Sequence, residues 1–363
     1  AQPREIRRLF RRCRLVGRRF RLAHIIGAHG HVVETATFRA KPTEDEEAQL
    51  ITDDNRFGTP RSDAHRRDFT VNALFYDLSR NEVIDYVGGL EDLDSRLLRT
   101  IGDPVNRFRE DPVRMLRAVK FAARLGFEIE QESRDAVISE RVELSKAALP
   151  RIYEEFVRML WSGAACRSFE LLDELRLMEI LVPECTPVWS WVGGHAKESA
   201  RSLLESLDRF SRSHRELPNG LAIAAVFWPI LNCTVAELDA DLEVSDFRPL
   251  VETLTRPFAI RLSVPRRTME TCIAVIEGQF RLPYIQHRRA RRLGFARGPH
   301  FAAIAAMAML RIDAQEMGPE SRDLWTQFLD EFPPPKLTKA RPRQRRKTGR
   351  RGHPRKPRMS RDT

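Results

Sequence analysis

A short run of polar residues beside an apolar segment carries side chains suited to binding a nucleotide. Arg66-Arg67-Asp68 and Asn72 place two guanidiniums, a carboxylate and an amide close together in the chain. A guanidinium is a planar donor that matches phosphate oxygens, and a carboxylate can accept hydrogen bonds from ribose hydroxyls. These residues are therefore candidates for phosphate and ribose contacts. Their spacing is equally compatible with an ion-pair cluster on the surface.

A second polar group stands at the start of a predicted helix. Asp111 and Pro112 are expected at its N-cap and first positions, and Gly126 is suited to end it. Asp111, Arg114 and Arg117 then spread along one side of the first two turns, where an acceptor and several donors could pair with the edges of a nucleobase. Capping by Asp111 and solvation of the arginines would explain the same residues without a ligand. The residues expected to pack inward are Met115, Val119 and Ala122.

A glutamate lies within a predicted strand. In HVVETATFR, the two-residue alternation of a strand puts Glu34 on the same face as Val32, Ala36 and Phe38. A carboxylate that faces inward is costly unless it is paired or bound to a cation, so Glu34 is a candidate metal ligand or catalytic residue. The alternative is an edge strand whose face is open to water.

The elements that must position these residues divide the chain. The β-rich runs RLAHII and HVVETATFR, separated by a turn-prone stretch at 27–30, predict a hairpin, and residues 41–65 are predicted to form a mobile surface loop. HRRDFTVNALFYD and EVIDYVGG then predict further sheet and a short helix. The first ~105 residues are therefore expected to be mixed α/β.

Helical periodicity dominates after Asp103-Pro104. It appears in EDPVRMLRAVKFAARLGF, PRIYEEFVRMLWSG, CRSFELLDELRLMEIL, RSLLESLDRF, FAAIAAMAMLRI and SRDLWTQFLDEF. The rest of the folded chain is therefore expected to be almost all α. Pro333-Pro334-Pro335 is expected to close the last helix.

The C-terminal segment carries the positive charge. Residues 336–363 hold thirteen Lys and Arg and one Asp, so of the net charge of +11 they supply +12 and leave −1 for the rest. A segment this basic, with hardly any aromatic residues, is expected to be disordered and to bind polyanions. Attraction to RNA phosphates is the functional interpretation, and a solubilising extension is the alternative. The candidate RNA-binding residues here are Arg345, Arg346, Lys347, Arg350 and Arg351.

The remaining composition indicates a soluble protein of the cytoplasm. The five cysteines are far apart without metal-ligand spacing, which predicts reduced thiols. No run approaches the ~20 apolar residues of a membrane span, and no secretory signal opens the chain.

Taken together, several of these segments resemble the class II nucleotidyltransferase family, which contains bacterial poly(A) polymerases and CCA-adding tRNA enzymes. RRDFTVNALFYD is similar to the family's motif for ribose and triphosphate contact, DYVGGLEDLDSRLLRTIGDP to its connecting motif, and REDPVRMLRAVKFAARLGF to its base-selecting EDxxR helix. The resemblance spans roughly residues 1–185. It implies that Arg66, Arg67, Asp68 and Asn72 position ATP, and that Asp111 recognises adenine with Arg114, with Arg117 also binding the nucleotide.

Two features favour the poly(A) polymerase branch over CCA addition. LVGRRFRLAHI is similar to the stretch that distinguishes poly(A) polymerases, and the Arg-rich C-terminal segment also resembles theirs. Arg18 and Arg19, in the first of these, are further candidate RNA contacts. The implied function is template-independent transfer of AMP from ATP to RNA 3′ ends. The alternatives are a CCA-adding enzyme and a non-catalytic RNA-binding remnant.

The same resemblance places a Gly-Gly turn and an Asp-x-Asp pair on a strand immediately before the equivalent of Pro3-Arg4-Glu5-Ile6. No residues of this chain correspond to them. In the family those aspartates hold two Mg²⁺ ions, with a third carboxylate that matches Glu34; Asp68 would complete the catalytic residues present. The chain is therefore expected to be N-terminally truncated and inactive as it stands.

The predicted fold class is α+β. The domains expected are a partial nucleotidyltransferase head at 1–105, a helical nucleotide-selecting neck at 106–185, a helical RNA-binding body at 186–332 and a disordered basic tail at 333–363.

Overall fold

The computed structural model describes residues 2–17, 22–40, 57–190, 195–214, 217–237 and 242–335. It is an α+β fold, as predicted. The chain opens with helix α1 (Pro3–Leu9) and strands β1 (Cys13–Val16), β2 (Leu22–Ile26) and β3 (Val32–Thr35). β2 lies between β1 and β3 and is antiparallel to both. The predicted hairpin is confirmed as β2 and β3.

A helix stands where part of a loop was predicted. Residues 60–65 belong to α2 (Pro60–Arg66), so the loop prediction is wrong there, and residues 41–56 lie outside the described part of the chain. Thr59 caps α2, because its hydroxyl oxygen accepts a hydrogen bond from the amide of Ser62 at 3.2 Å. Just before it, Gly58 passes so close to Arg39 that an added Cβ would lie 2.3 Å from the Arg39 carbonyl. Only glycine fits this crossing.

The predicted further sheet is confirmed as a hairpin of β4 (Phe75–Asp77) and β5 (Glu82–Ile84), followed by the short helix α3 (Gly89–Asp94). β6 (Leu97–Leu98) then pairs in parallel with β7 (Glu128–Ile129). β7 is a two-residue strand within the region that was expected to be almost all α. β7 forms only because the chain after α5 comes to lie beside β6, and no local sequence pattern predicts that contact.

Helices make up the rest of the described chain. They are α4 (Pro104–Glu110), α5 (Val113–Leu125), α6 (Gln131–Glu140), α7 (Leu149–Leu160), α8 (Ala165–Glu174), α9 (Met178–Leu181), α10 (Thr186–Ser190), α11 (His195–Ser213), α12 (Asn219–Glu237), α13 (Val244–Arg261), α14 (Arg266–Ile285), α15 (Arg289–Ala296), α16 (Phe301–Asp313) and α17 (Pro319–Glu331). Each helical segment predicted from periodicity is found. CRSFELLDELRLMEIL is divided between α8 and α9, with Arg176 at φ +57° between them. α17 ends just before Pro333, as expected.

One hydrophobic core joins the two halves of the molecule. It runs from Phe69 and Leu98 through α5, α7 and α8 to Trp325 and Phe328. A small satellite cluster of Ala64, Ala73 and Ile101 packs under β4. The segment that carries Asp68 therefore rests on the same core as the helices that face it.

α12 is the most apolar helix. By length and composition it could cross a membrane, and α15 with α16 would also pass that test if the 98° bend between them were ignored. However, 61% of the apolar window of α12 is buried in the molecule, as in the core helix of a globular protein. All five cysteines are free thiols, as predicted.

Candidate active site

The largest group of predicted site residues lines one cleft of about 870 Å³. One wall comes from residues 36–39 after β3 and from the segment between α2 and β4, and the other from α5 and α7. The predicted site residues that line it are Arg66, Arg67, Asp68, Asn72, Asp111, Arg114 and Arg117. Two motifs separated by some forty residues in the chain thus face one another.

Arg67, in the first motif, is held by residues that are close to it in the chain. The guanidinium of Arg67 donates to the Asn72 carbonyl at 2.6 Å and to the Asp63 carboxylate at 3.3 Å. It also lies 4.8 Å from the centre of the Phe75 ring, which is a cation–π distance. Arg67 is therefore fixed at the cleft wall while 40% of its side chain stays exposed.

Asp68 is the centre of a network. Its Oδ2 accepts a hydrogen bond from Arg117 Nε at 2.6 Å and lies 2.5 Å from Arg117 Nη2 in the same ion pair. Its Oδ1 accepts from the Phe69 amide at 3.1 Å and from Asn72 Nδ2 at 3.2 Å. A carboxylate has about four acceptor positions, and these hydrogen bonds take three of them. A ribose hydroxyl or a metal ion at Asp68 would therefore compete with Arg117, Asn72 and the Phe69 amide.

A largely buried arginine outside the predicted set fixes the first motif. Arg107 Nη2 donates to the carbonyls of Arg66 and Arg67 at 2.8 and 2.6 Å. Burial, together with the neighbouring positive charge of Arg114, lowers the pKa of Arg107. The backbone of Arg66 and Arg67 is thereby tied to α4. The Asp103-Pro104 start of α4 was recognisable, but no sequence signal showed that Arg107 reaches back forty residues.

The second motif differs from its prediction in one respect. Asp111 is not the N-cap of α5: Pro112 holds that position, and Asp111 ends α4. The Asp111 side chain is instead paired with Arg151 Nη2 at 2.6 Å. Arg114 Nη1 is held at 2.8 Å both by the Glu110 carboxylate and by the Arg107 carbonyl. Both groups expected to read a base therefore already have partners.

The inward positions predicted for α5 are correct, since Met115, Val119 and Ala122 are buried. Gly126 ends the helix in the left-handed conformation at φ +66°.

α7 supplies a row of charged residues that the sequence analysis did not single out. Arg151, Glu154, Glu155 and Arg158 line the cleft at helical spacing. Glu155 is buried and pairs with Lys120 Nζ and with Arg158 Nη1, at 2.5 and 2.9 Å. It also lies 3.8 Å from Arg117, which joins it to the Asp68 network. The charged i, i+3, i+4 and i+7 positions of PRIYEEFVRML could have indicated this face.

Glu34 lies apart from this group. It is on the edge strand β3, its side chain is 65% exposed, and its carboxylate lies 3.4 Å from His24 Nε2 on β2. It is not among the residues that line the cleft. The water-facing alternative describes its surroundings. Arg18 and Arg19, and all five candidate residues between 345 and 351, lie outside the described residues.

The described carboxylates do not form a metal-binding set. No group of three or more His, Cys, Asp or Glu side chains among the described residues is placed to hold an ion. Glu34 faces solvent beside a histidine, and the Asp68 oxygens are occupied by donors. The residues present therefore do not fit the two Mg²⁺ ions that the sequence resemblance implied.

Comparison with known proteins covers nearly the whole chain. Three family models match: the poly A polymerase head domain at residues 1–99, a probable RNA and SrmB-binding site of polymerase A at 126–188, and the polymerase A arginine-rich C-terminus at 251–362. Poly(A) polymerase I of Escherichia coli O157:H7 is 33% identical over 374 aligned residues, covering 95% of this chain and 80% of the relative. The CCA-adding enzyme of Bacillus subtilis is 33% identical over 186 residues, covering 50% of this chain and 45% of the relative.

The fold has solved counterparts. A crystal structure of the Bacillus stearothermophilus CCA-adding enzyme in complex with CTP aligns with a TM-score of 0.58, at 21% identity, over 91% of this chain and 72% of that one. A structure of the Thermotoga maritima CCA-adding enzyme complexed with tRNA aligns with a TM-score of 0.56 at 19% identity, over 93% and 72% of the two chains. The three family models and the extended poly(A) polymerase alignment agree with the motifs that form the cleft, and the chain belongs to the poly(A) polymerase family of nucleotidyltransferases.

Proposed function

We propose that this protein transfers AMP from ATP to the 3′ ends of RNA without a template. The observation that carries the proposal is the extent of similarity to poly(A) polymerase I, which reaches 95% of this chain, against 50% for the curated CCA-adding enzyme of Bacillus subtilis. The cleft supports it, because guanidiniums from both walls converge where a triphosphate would need positive charge.

The two walls of the cleft would contact different parts of ATP. Arg66 and Arg67 are proposed to hold phosphates, since the Arg107 contacts fix their backbone. Asp111 and Arg114 are proposed to read the base, which requires ATP to displace Arg151 from Asp111 or to use the positions that the ion pair leaves open. Arg117 and Asn72 hold Asp68 in place.

Mg²⁺ remains a prediction of the family resemblance. Metal ions would stabilise the charge that develops on the phosphates during transfer. The described carboxylates do not fit such a set, so no step is derived through the metal. A site of action in the cytoplasm is likewise a prediction.

The test compares nucleotides on one RNA. The protein, with whatever sequence its gene encodes upstream of Ala1, is supplied with labelled ATP or CTP, Mg²⁺ and a primer of defined 3′ end. Long tails formed from ATP alone are expected. Incorporation of CTP into a truncated tRNA would instead identify CCA addition. Salt-sensitive RNA binding without any Mg²⁺-dependent incorporation would identify an RNA-binding remnant.

The base-reading role has a matched control on the same helix. Arg114→Ala is expected to reduce the preference for ATP over CTP by about 1–3 kcal/mol, the usual range for a bidentate contact to a base. Arg124→Ala, at an exposed position near the end of α5, should leave the preference unchanged. Equal selectivity in both variants would rule out this role for Arg114.

A further inference from the structure

A second cleft, of about 620 Å³, lies far along the chain from the first, among α14, α15 and α16. Its size falls within the range of roughly 300–1,000 Å³ that ligand sites occupy. α14 and α16 meet at its floor, where Gly278 packs against Ile304. We call it the α14–α16 cleft. Its lining includes Arg281, Tyr284, Arg291 and Phe295.

The surroundings of this cleft are strongly positive. Residues 278–300 contain six arginines, two histidines and no acidic residue. Arg288, Arg289, Arg291 and Arg297 are exposed, and within the described chain none of them forms an ion pair. The acidic residue of the lining is Glu277, and it lies 3.4 Å from Arg248. Guanidiniums without acidic partners form a site for a polyanion.

Aromatic side chains are interleaved with these charges. The Tyr284 side chain is 49% exposed, and its ring is held by an edge contact with Phe247 and by a hydrogen bond from its hydroxyl to the Leu242 carbonyl at 2.9 Å. Arg281 lies 6.0 Å from the centre of the Phe295 ring. Fixed rings beside a basic groove are what proteins use to stack the bases of single strands.

The positive surface continues beyond the cleft. Arg292 on α15 pairs with Glu331 at the end of α17, and its guanidinium lies over the rings of Phe328 and Phe332. The described chain ends at Pro335, close after this contact, and residues 336–363 hold thirteen further Lys and Arg. The described chain therefore ends on the side of the molecule that carries α15.

We propose that the α14–α16 cleft binds one unstacked nucleotide of a single-stranded RNA, and that α15 binds the adjoining phosphates. Arg291 and Arg289 hold the phosphates, and Tyr284 stacks on the base. The inference rests on the proposed function, because it assigns to this cleft a part of the RNA away from the reacting 3′ end. An acidic peptide could pair with the arginines but would supply no base to stack on the exposed ring of Tyr284.

The test measures binding of a fluorescent twenty-nucleotide oligoadenylate to the whole chain at several salt concentrations. The variant R289Q/R291Q removes two charges of α15, one of which lines the cleft, and R256Q/R267Q removes two exposed charges elsewhere on α13 and α14. The salt slope is the fall in the logarithm of the binding constant for each tenfold rise in salt concentration. Each phosphate contact contributes about 0.7 to this slope for a single strand. R289Q/R291Q should therefore lower the slope by about 1.4 and weaken binding roughly tenfold near 0.2 M salt. The control variant should behave as the parent.

The base contact is tested separately. Tyr284→Ala should weaken oligoadenylate binding about fivefold or more without changing the salt slope, whereas Tyr284→Phe keeps the ring and should bind as the parent does. Thermal melting confirms that each variant is folded. An abasic oligomer should not distinguish Tyr284→Ala from the parent.

Three results would overturn the proposal. The first is equal affinity and slope for R289Q/R291Q and its control. The second is an equal loss for oligoadenylate and heparin with no effect of Tyr284→Ala, which would indicate a general polyanion surface. The third is tighter binding of an acidic peptide than of RNA. RNA binding at this cleft, without any AMP incorporation by the protein that includes the sequence encoded upstream of Ala1, would refute the proposed function and leave this inference standing.

Discussion

Arg117→Ala is the substitution that most directly tests the network between the two walls of the active-site cleft. Arg117 makes two short contacts to Asp68, at 2.6 and 2.5 Å, and the Asp68 side chain is only 9% exposed. Removing Arg117 leaves that carboxylate buried, with the Phe69 amide and Asn72 as its remaining donors. Deleting one partner of a buried ion pair costs about 3–5 kcal/mol.

The expected cost here is smaller. The Arg117 side chain is 31% exposed, so water can enter where it was, and the loss should be about 2–3 kcal/mol. Unfolding entropy near ~2 cal/mol/K per residue over the folded chain converts this to a fall in Tm of about 4 °C. Arg124→Ala on the same helix, exposed and remote from Asp68, should change Tm by less than about 1 °C.

A double variant separates charge burial from lost packing. Asp68→Asn removes the charge that Arg117 neutralises, so Arg117→Ala combined with Asp68→Asn should be more stable than Arg117→Ala alone by at least half of the loss. Melting followed by circular dichroism measures all four proteins. If the effects of the two substitutions simply add, or if Arg117→Ala melts like Arg124→Ala, the buried-charge reasoning is wrong.

Three further predictions follow from other contacts. Asp85 accepts hydrogen bonds from the amides of Val87, Gly88 and Leu90. Burial raises the pKa of Asp85, but these hydrogen bonds outweigh it, so the pKa in the folded protein is lowered. The ionised Asp85 therefore stabilises the fold above its unfolded pKa, and this stabilisation is lost as the pH falls through the folded pKa. Asp85→Asn should therefore lower Tm at pH 7 but not near pH 2, and an equal loss at both would contradict this assignment. Arg151→Ala should free the Asp111 carboxylate and change the ratio of ATP affinity to CTP affinity by threefold or more in equilibrium titrations. Arg176→Ala is the control. An unchanged ratio would show that Arg151 has no part in base selection. Deleting residues 336–363 should weaken RNA binding most at low salt and leave ATP affinity unchanged, and salt-independent binding losses would refute an electrostatic role.

The sequence predicted those parts of the site that are local. The Arg66 to Asn72 run and the helix from Val113 to Leu125 were recognisable because their side chains are close in the chain or at helical spacing. That both motifs contact one nucleotide was an expectation from the family resemblance and not from their spacing. In the structure both line one cleft. Domain boundaries and the roles of individual residues remain predictions.

The parts that were missed depend on distant partners. Asp111 was expected to cap a helix, but Arg151, forty residues away, takes its carboxylate. Glu34 is exposed because, among the described residues, little covers either face of β3, which alternation along one strand does not reveal. α2 is a different case, since Thr59 and Pro60 signalled its start and were read as part of a loop.

The membership of the hydrophobic core has a consequence for motion. Among residues 2–17 and 22–40, none belongs to either core cluster. Ile6 on α1 and Ala23 on β2 are buried, where α1 packs on the sheet. The three-stranded sheet can therefore open without disturbing α5 and α7. Its amides should exchange with deuterium long before those of α5 and α7, and a protease should cut this sheet before it cuts those helices. Because residues 36–39 continue from this sheet into the cleft wall, a part of the molecule that is expected to open more readily than α5 and α7 borders the place where ATP is proposed to enter.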